Sequence, residues 1–532
     1  MMDNAIAWIF IFPLFGSVLC ALLGMVKREA CWYIAVISMA GSFLAGVVTL
    51  MQASGSSSHV VSYVLGGWSL DSYPRGVGIE FRADLLGALI TLVVLGVGLL
   101  VSIYSMLPVE EETPDKEPLF YSLFLLQVTG LAGICLTGDA FNLYVLIEVA
   151  ALTGYGLIAM GSNRAAAATF NYVILGTIGA SLYLLGVGYV YITTGTLNMV
   201  GIHDAIVASV ETENNLADSA SMQVAFVLIC LGILIKMAFF PFHAWLPNAY
   251  RHAPTTTSSL LAPLVTKVMI YVMIRMVLTV FGVNFSFVTE FGEAWAEIMP
   301  WLVVVAIVSA AIMALAQREI KRMLAYLIVA EVGYMVGGIW VFNYYGMVGS
   351  IFHVISDACM TLCLFLGAGL ILRKCKTTNF DGLRGLFSKM PLTMTGFFIG
   401  GFSIIGLPPT CGFFSKWYLI TGAMVSERWE YLLALLFSTM VMVVLFFRLI
   451  ERIHLAVSES GENLGKGHGD LGLTEEQTRF SEGPLSMLIP LLLAAAVVLV
   501  IGIYNQDVVN QIETFLDNLP HDAHLPKEAV SK

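Results

Sequence analysis

Three lysines, Lys236, Lys267 and Lys416, and three carboxylates, Glu148, Glu331 and Asp357, stand inside long apolar stretches of this 532-residue chain. An ionisable side chain in hydrocarbon costs at least roughly 2.5 kcal/mol, so one that is found there has a partner or a task. The protonation of a buried lysine depends on whether a carboxylate stands beside it, and a partner that moves therefore loads or releases a proton. A static ion pair that fixes helix packing is the competing explanation for any one of these residues. It fits a series of several poorly. Arg275 and Arg448 also lie within apolar stretches; Arg448 is toward a helix end, where it can snorkel, and Arg275 is less free to do so.

Spacing extends the set. Lys267, Tyr271 and Arg275 recur every four residues, as do His353, Asp357 and Thr361, so each trio shares one helix face. His353 and Asp357 suit a proton relay, whereas Tyr271 and Thr361 serve equally well as hydrogen-bonding groups between helices. Two stretches carry prolines within about two turns of a lysine. They read Lys236-Met-Ala-Phe-Phe-Pro241-Phe-His243-Ala-Trp245-Leu-Pro247 and Gly406-Leu-Pro408-Pro409-Thr-Cys-Gly412-Phe-Phe-Ser-Lys416-Trp417. Proline inside a span frees carbonyls that neighbours or water must satisfy, and interrupted helices in membranes tend to line hydrated ion sites. His243 on the first break and His252 just after it join Tyr271 as further relay candidates.

The elements that must position these groups are membrane helices. The composition is 58% hydrophobic and 12% charged, with a mean hydropathy of +0.85, a balance that excludes a soluble domain of this size. Stretches long enough to cross roughly 30 Å of hydrocarbon fall near 5–26, 30–52, 84–107, 119–136, 142–160, 168–194, 222–240, 255–281, 299–317, 321–342, 346–372, 393–424, 427–455 and 485–505, fourteen in all. The first opens with Asp3, has no basic segment before it and lacks a small-residue cleavage site, so it is read as a span and not as a signal peptide. The expected fold is an all-α polytopic membrane protein.

The seventh and twelfth spans, the two with breaks, are five apart. That spacing predicts a five-helix unit used twice, spans four to eight (119–281) and nine to thirteen (299–455), inverted relative to one another because five is odd. Residues 1–110 hold the first three helices, 456–484 form a cytoplasmic loop, 485–505 the last helix and 506–532 a tail on the outer side. Loops after odd-numbered spans carry most of the lysine and arginine, including Lys27, Arg28, Lys116, Arg251, Arg318, Lys321, Arg322, Arg373 and Lys374, while even loops hold only Arg75, Arg82 and Arg428. Basic loops stay cytoplasmic, which puts both termini outside. The net charge of −11 comes largely from the runs Glu110 to Glu112, Asp204 to Asp218 and Glu459 to Glu482, read as solvated loops.

The eight cysteines lie in or beside apolar spans with no CxxC pair and read as small core residues. There is no HExxH, no strand followed by GxGxxG and no phosphate loop, and Gly461 to Gly467 has the wrong spacing for one. No cofactor or metal site is expected in the chain, and any redox or nucleotide chemistry is assigned to partners.

Several of these runs together resemble a known family. Gly138-Asp-Ala-Phe-Asn-Leu-Tyr-Val-Leu-Ile-Glu148, Thr194-Gly-Thr-Leu-Asn-Met199, Lys236 with Phe240-Pro-Phe-His-Ala-Trp-Leu-Pro247, Ala253-Pro254, Thr266-Lys267, Ile320-Lys-Arg-Met-Leu-Ala-Tyr326, Gly333-Tyr334 and Gly406-Leu-Pro-Pro409 with Gly412-Phe-Phe-Ser-Lys416 are similar to the antiporter-like subunits shared by respiratory complex I, Mrp-type cation/proton antiporters and membrane-bound hydrogenases. The resemblance runs from about residue 60 to 425. Asn248 to Pro254 and Phe413-Phe-Ser-Lys-Trp-Tyr418 look most similar to the D-type members of Mrp antiporters. It implies fourteen helices with broken seventh and twelfth members, and a polar axis along which Glu148, Lys236, Lys267 and Lys416 pass protons. Because the sequence runs only a short way past the fourteenth span, the long lateral helix of the distal complex I subunit is expected to be lacking. Many relatives carry His, His and Lys at four-residue spacing in the eleventh span, where this chain has His353, Asp357 and Thr361. The middle lysine of the axis is therefore missing, and Glu331, in Ala330-Glu331-Val332-Gly333-Tyr334, is expected to bridge the gap.

Three functions fit. One is a proton-channelling subunit of a larger complex in a prokaryotic inner (plasma) membrane, whose partners are other membrane subunits, protons, Na⁺ as an exchanged ion, and the bilayer, with no nucleic acid. Another is a self-sufficient secondary transporter for Na⁺ or a small solute. The third is a scaffold that couples a hydrogenase, a quinone reductase or an inorganic-carbon uptake partner.

Overall fold

The computed structural model describes residues 4–67, 78–161, 164–210, 215–377, 379–383, 385–454, 482–519 and 525–526. Most of the predicted loop 456–484 and the end of the predicted tail 506–532 lie outside the described residues. Among those described, twelve helices are long and apolar enough to cross a membrane. Each falls on a predicted span; the two spans left over are the seventh and twelfth, where the helices are shorter and interrupted.

At the first interruption, Ala220–Lys236 stops at its lysine, Ala238 takes a positive φ of 59°, and the chain resumes as Trp245–His252. Pro241 and Pro247 lack the N–H groups that a continuous helix needs here. At the second, Pro391–Ile405 ends on Gly406 with φ 92°, a conformation open to glycine, and Cys411–Val425 begins after Pro408-Pro409. Glu482 holds the start of that segment, with Oε1 accepting the Leu392 N–H at 2.6 Å and Oε2 accepting the Thr393 hydroxyl at 2.8 Å.

One departure from the all-helical expectation is a small antiparallel hairpin, Val60–Val64 with Glu80–Asp84, in register Val60 to Asp84. It joins two long helices at one end of the bundle, where Val and Tyr at alternate positions suit a half-buried strand. Two acidic runs also differ from the solvated loops expected. Met106–Glu112 is a short helix whose Glu111 grips Arg373 at 2.7 and 3.0 Å, and Asp204 belongs to the helix Met199–Ser209. Local amide pairing favours both helices over open loops.

Helices approach closely where side chains are small. A Cβ on Gly232 would come within 2.6 Å of the Gly179 carbonyl, so Ala165–Thr194 and Ala220–Lys236 touch backbone to backbone. The centre of the bundle is formed by Thr255–Arg275, Ile320–Trp340 and Tyr344–Cys375. The apolar window of Tyr344–Cys375 is entirely buried, against 33% of that in Ala5–Leu23. The charged residues of interest lie on or against these central helices.

Candidate functional site

Glu148 lies in mid-helix on Ala140–Ala159, whose N-terminus Asp139 caps by accepting the Asn142 N–H at 2.6 Å. Lys236 is the last helical residue before the first break. Ending the helix there frees the side chain from the preceding turn, and its Nζ donates to Glu148 Oε1 at 2.9 Å. A small cavity of about 20 Å³, room for a single water, lies beside Lys236 between Gln127, Tyr172 and Met269.

Lys267 and Asp357 form the next pair. Their helices, Thr255–Arg275 and Tyr344–Cys375, pack at the bundle centre, and Lys267 Nζ approaches Asp357 Oδ2 to 2.8 Å. The angle there is poor for a hydrogen bond; Lys267 donates instead to the Ala262 carbonyl at 3.2 Å. Asp357 Oδ1 accepts the Thr361 hydroxyl at 2.7 Å. The four-residue spacing read from sequence thus fixes one end of the carboxylate.

Glu331 on Ile320–Trp340 sits between His353 and Lys416. His353 Nε2 bonds to Glu331 Oε2, while His353 Nδ1 pairs with the Ser415 hydroxyl at 2.8 Å. Lys416 Nζ stands 3.5 Å from Glu331 Oε1, over the Tyr334 ring at 4.8 Å, and donates to the Ile404 carbonyl. That carbonyl lies in the last turn before the second break, so the break supplies the lysine with an acceptor.

The remaining residues picked from sequence do not join this chain of contacts. Tyr271 turns away from Lys267: its hydroxyl donates to the Cys135 carbonyl at 2.7 Å and accepts from Arg275 Nε at 2.8 Å. Arg275 forms a two-pronged pair with Asp84 and packs over Phe515 at 5.4 Å. These groups line a cavity of about 210 Å³ by the hairpin. His243 is buried against Phe240, with ring centroids 5.4 Å apart. His252 lies beside the Arg251 to Glu319 ion pair; burial, then the charges of Arg251 and Arg164, hold its pKa below that of an ordinary imidazole. Arg448 is half-buried and donates to the Leu315 carbonyl at 3.5 Å.

Three contributors were not singled out from sequence. Ser415 adjoins Lys416 and was hidden by it. Gln127 is an uncharged residue in an apolar run, and its side-chain oxygen accepts the Thr153 hydroxyl at 2.8 Å. Asp84 stands at the start of an apolar run, where it caps Leu85–Tyr104 through the Gly87 N–H at 2.8 Å; its pairing with Arg275, 191 positions away, left no local signal.

The fold and site define a polytopic helical membrane protein with paired acids and bases, most of them buried, at its centre. Residues 137–442 match the family described as NADH:quinone oxidoreductase/Mrp antiporter, transmembrane, and the chain belongs to that family. It is 38% identical to NADH-quinone oxidoreductase subunit N of Desulforudis audaxviator, over 85% of this chain and 86% of that one. It is 28% identical to the D-type component of the Na(+)/H(+) antiporter of Bacillus subtilis, over 86% and 89%. Among solved structures, a chain of the membrane-bound sulfane sulfur reductase, an archaeal respiratory membrane complex, superposes with a TM-score of 0.83 at 26% identity, covering 97% of this chain and 98% of that one.

Proposed function

We propose that this chain is the antiporter-like, proton-translocating subunit of a multisubunit membrane complex, and that protons move along Glu148, Lys236, Lys267, Asp357, Glu331, His353 and Lys416. The observation that carries the reading is the succession of acid and base partners within the apolar bundle, 2.9 Å at Lys236 and 2.8 Å at Lys267. No single charge is stable there alone, so a displacement at one pair changes the protonation preferred at the next. Glu331, in the tenth span, bridges the gap left by the eleventh-span lysine that many relatives carry, because it touches His353 and faces Lys416. The two broken helices belong to two inverted five-helix units, 119–281 and 299–455, each bringing a lysine to the axis.

The complex sits in a prokaryotic plasma membrane with both termini outside, as the distribution of basic loop residues supports. Exchange of protons against Na⁺ is the version favoured by the name of the Bacillus relative. The test is proton-gradient formation in native membranes: Lys236→Ala and Glu148→Ala abolish it while the complex still assembles. Normal gradients in both variants would exclude the proton axis. The chain reconstituted alone gives no transport on this reading; transport by the isolated chain would make it a self-sufficient carrier.

A further inference from the structure

The last turn of Tyr344–Cys375 carries Arg373 and Lys374, and Lys376 closes the helix with φ 53° and its N–H on the Leu372 carbonyl at 2.8 Å. A cavity of about 230 Å³ lies among this helix end, the short helix Met106–Glu112 and the starts of Pro391–Ile405 and Leu485–Ile503. Arg373, Lys374 and Lys376 line it together with Glu111 and Glu482. The chain leading into Leu485–Ile503 is pressed against Tyr344–Cys375 here. A Cβ on Gly483 would come within 2.2 Å of the Leu370 side chain.

Both carboxylates of the cavity are already engaged. Glu111 is bound by Arg373 Nε and Nη2 at 3.0 and 2.7 Å, and Glu482 accepts the Leu392 N–H at 2.6 Å and the Thr393 hydroxyl at 2.8 Å. Glu112, next to Glu111, accepts the Thr255 N–H at 2.6 Å. Lys374 is half-buried and Lys376 exposed, and neither forms an ion pair among the described residues, whereas Arg28 and Arg251 pair with Asp115 and Glu319. Leu485–Ile503 begins beside the cavity at Pro484 without a side-chain cap, so the positive end of its dipole adds to the two lysines.

The same helix carries an exposed apolar stripe away from the cavity. Leu485, Ile489, Leu493, Val497, Val500 and Ile503 follow at steps of four or three residues, one helix face, and are between 39% and 70% exposed. From Leu485 to Ile503 the stripe runs roughly 27 Å, close to the roughly 30 Å of a bilayer's hydrocarbon. A basic cavity thus stands at the head of a hydrocarbon-facing strip.

We propose that this cavity holds the phosphate headgroup of an anionic phospholipid whose acyl chains lie along the exposed face of Leu485–Ile503. Basic pockets between membrane helices at headgroup level bind such lipids. Lys374 and Lys376 supply the charge that the phosphate diester lacks, and Arg373 stays on Glu111. A zwitterionic lipid brings a cation that the two lysines repel. A phosphate from solution would meet the same lysines and leave the stripe uncovered. The site stands apart from the proton axis, and lipid labelling tests it without reference to flux.

The purified intact complex, reconstituted in phosphatidylcholine vesicles, is titrated with phosphatidylglycerol that carries a photoactivatable diazirine in its acyl chain, and labelled peptides are mapped by mass spectrometry. Peptides of 485–503 are expected to label at a lower lipid fraction than with a phosphatidylcholine probe of the same tail. The double variant Lys374→Gln, Lys376→Gln is expected to need about thirtyfold more phosphatidylglycerol for half-maximal labelling. Lys374→Arg with Lys376→Arg keeps the parent response, and native gels show equal assembly of both variants. Free glycerol phosphate in the buffer leaves the labelling unchanged; if it displaces the probe, the cavity takes phosphate from solution and the lipid site is overturned. Equal labelling by the two probes, parent labelling in the glutamine variant, or labelling by neither probe because a partner chain covers the stripe would overturn it as well.

Discussion

Lys267 and Asp357 face each other at 2.8 Å between Thr255–Arg275 and Tyr344–Cys375, with 2% and 0% of their side chains exposed. This contact is where the helices of the two predicted five-helix units meet. Removing one partner of a buried pair leaves an uncompensated charge, at a cost of about 3–5 kcal/mol. Asp357→Asn is therefore expected to lower the melting temperature of the purified complex and to stop proton flux. The double change to Lys267→Met and Asp357→Leu recovers much of the stability and none of the flux. A double variant no more stable than Asp357→Asn would show that the pair is not the source of the loss.

Glu331 is the second point of test. Glu331→Gln keeps a side chain that can bond to His353 while abolishing the charge facing Lys416. Proton-coupled transport in native membranes is expected to fall with assembly intact. Unchanged transport would end the case for Glu331 as the bridge.

Asp84 does two jobs that substitutions separate. Asp84→Asn keeps an oxygen for the Gly87 N–H and loses the charge paired with Arg275. Asp84→Ala loses the cap as well, a further cost of about 1 kcal/mol. The amount of assembled complex, measured on native gels, is expected to fall in the order parent, asparagine, alanine, and an equal yield of asparagine and alanine variants would rule out the cap.

Gly412 is set by contact with backbone. A Cβ there would lie 1.9 Å from the Ser403 carbonyl oxygen, whereas one on Gly188 would meet nothing within 4 Å. Gly412→Ala pushes Cys411–Val425 off Pro391–Ile405 and carries Lys416 away from Glu331, so chain level and flux both drop. Gly188→Ala leaves both unchanged. Immunoblots of membranes, read beside flux, distinguish the two.

Orientation is open to direct labelling. Ser58→Cys, by the hairpin, is expected to react with a membrane-impermeant maleimide from the outside of intact cells, and Glu111→Cys only after the membrane is opened. The reverse pattern would invert the proposed topology.

The lysines and acids of the axis were legible because a charge in an apolar run is costly wherever the run folds, and the breaks because proline and glycine act on the backbone beside them. Twelve of the fourteen predicted spans became single helices for the same local reason. Other residues were not legible. Asp84 and Glu112 sit at the ends of apolar runs, where a carboxylate is ordinary, and their partners Arg275 and Thr255 are 191 and 143 positions away. Tyr271 shares a face with Lys267, yet its hydroxyl takes the Cys135 carbonyl because the adjoining Glu117–Leu136 helix presents one there.

From its sequence alone this protein is bound to be a membrane bundle with interrupted helices and several buried charges, since span length, hydropathy and proline chemistry are properties of short stretches. Which charge meets which was decided only by packing. Lys267 could have taken any of three carboxylates, and the close approach of Thr255–Arg275 to Tyr344–Cys375 gives it Asp357, leaving Glu331 to His353 and Lys416. Ion pairing falls off over a few ångströms, and distances of that size between remote residues exist only once the helices are in place.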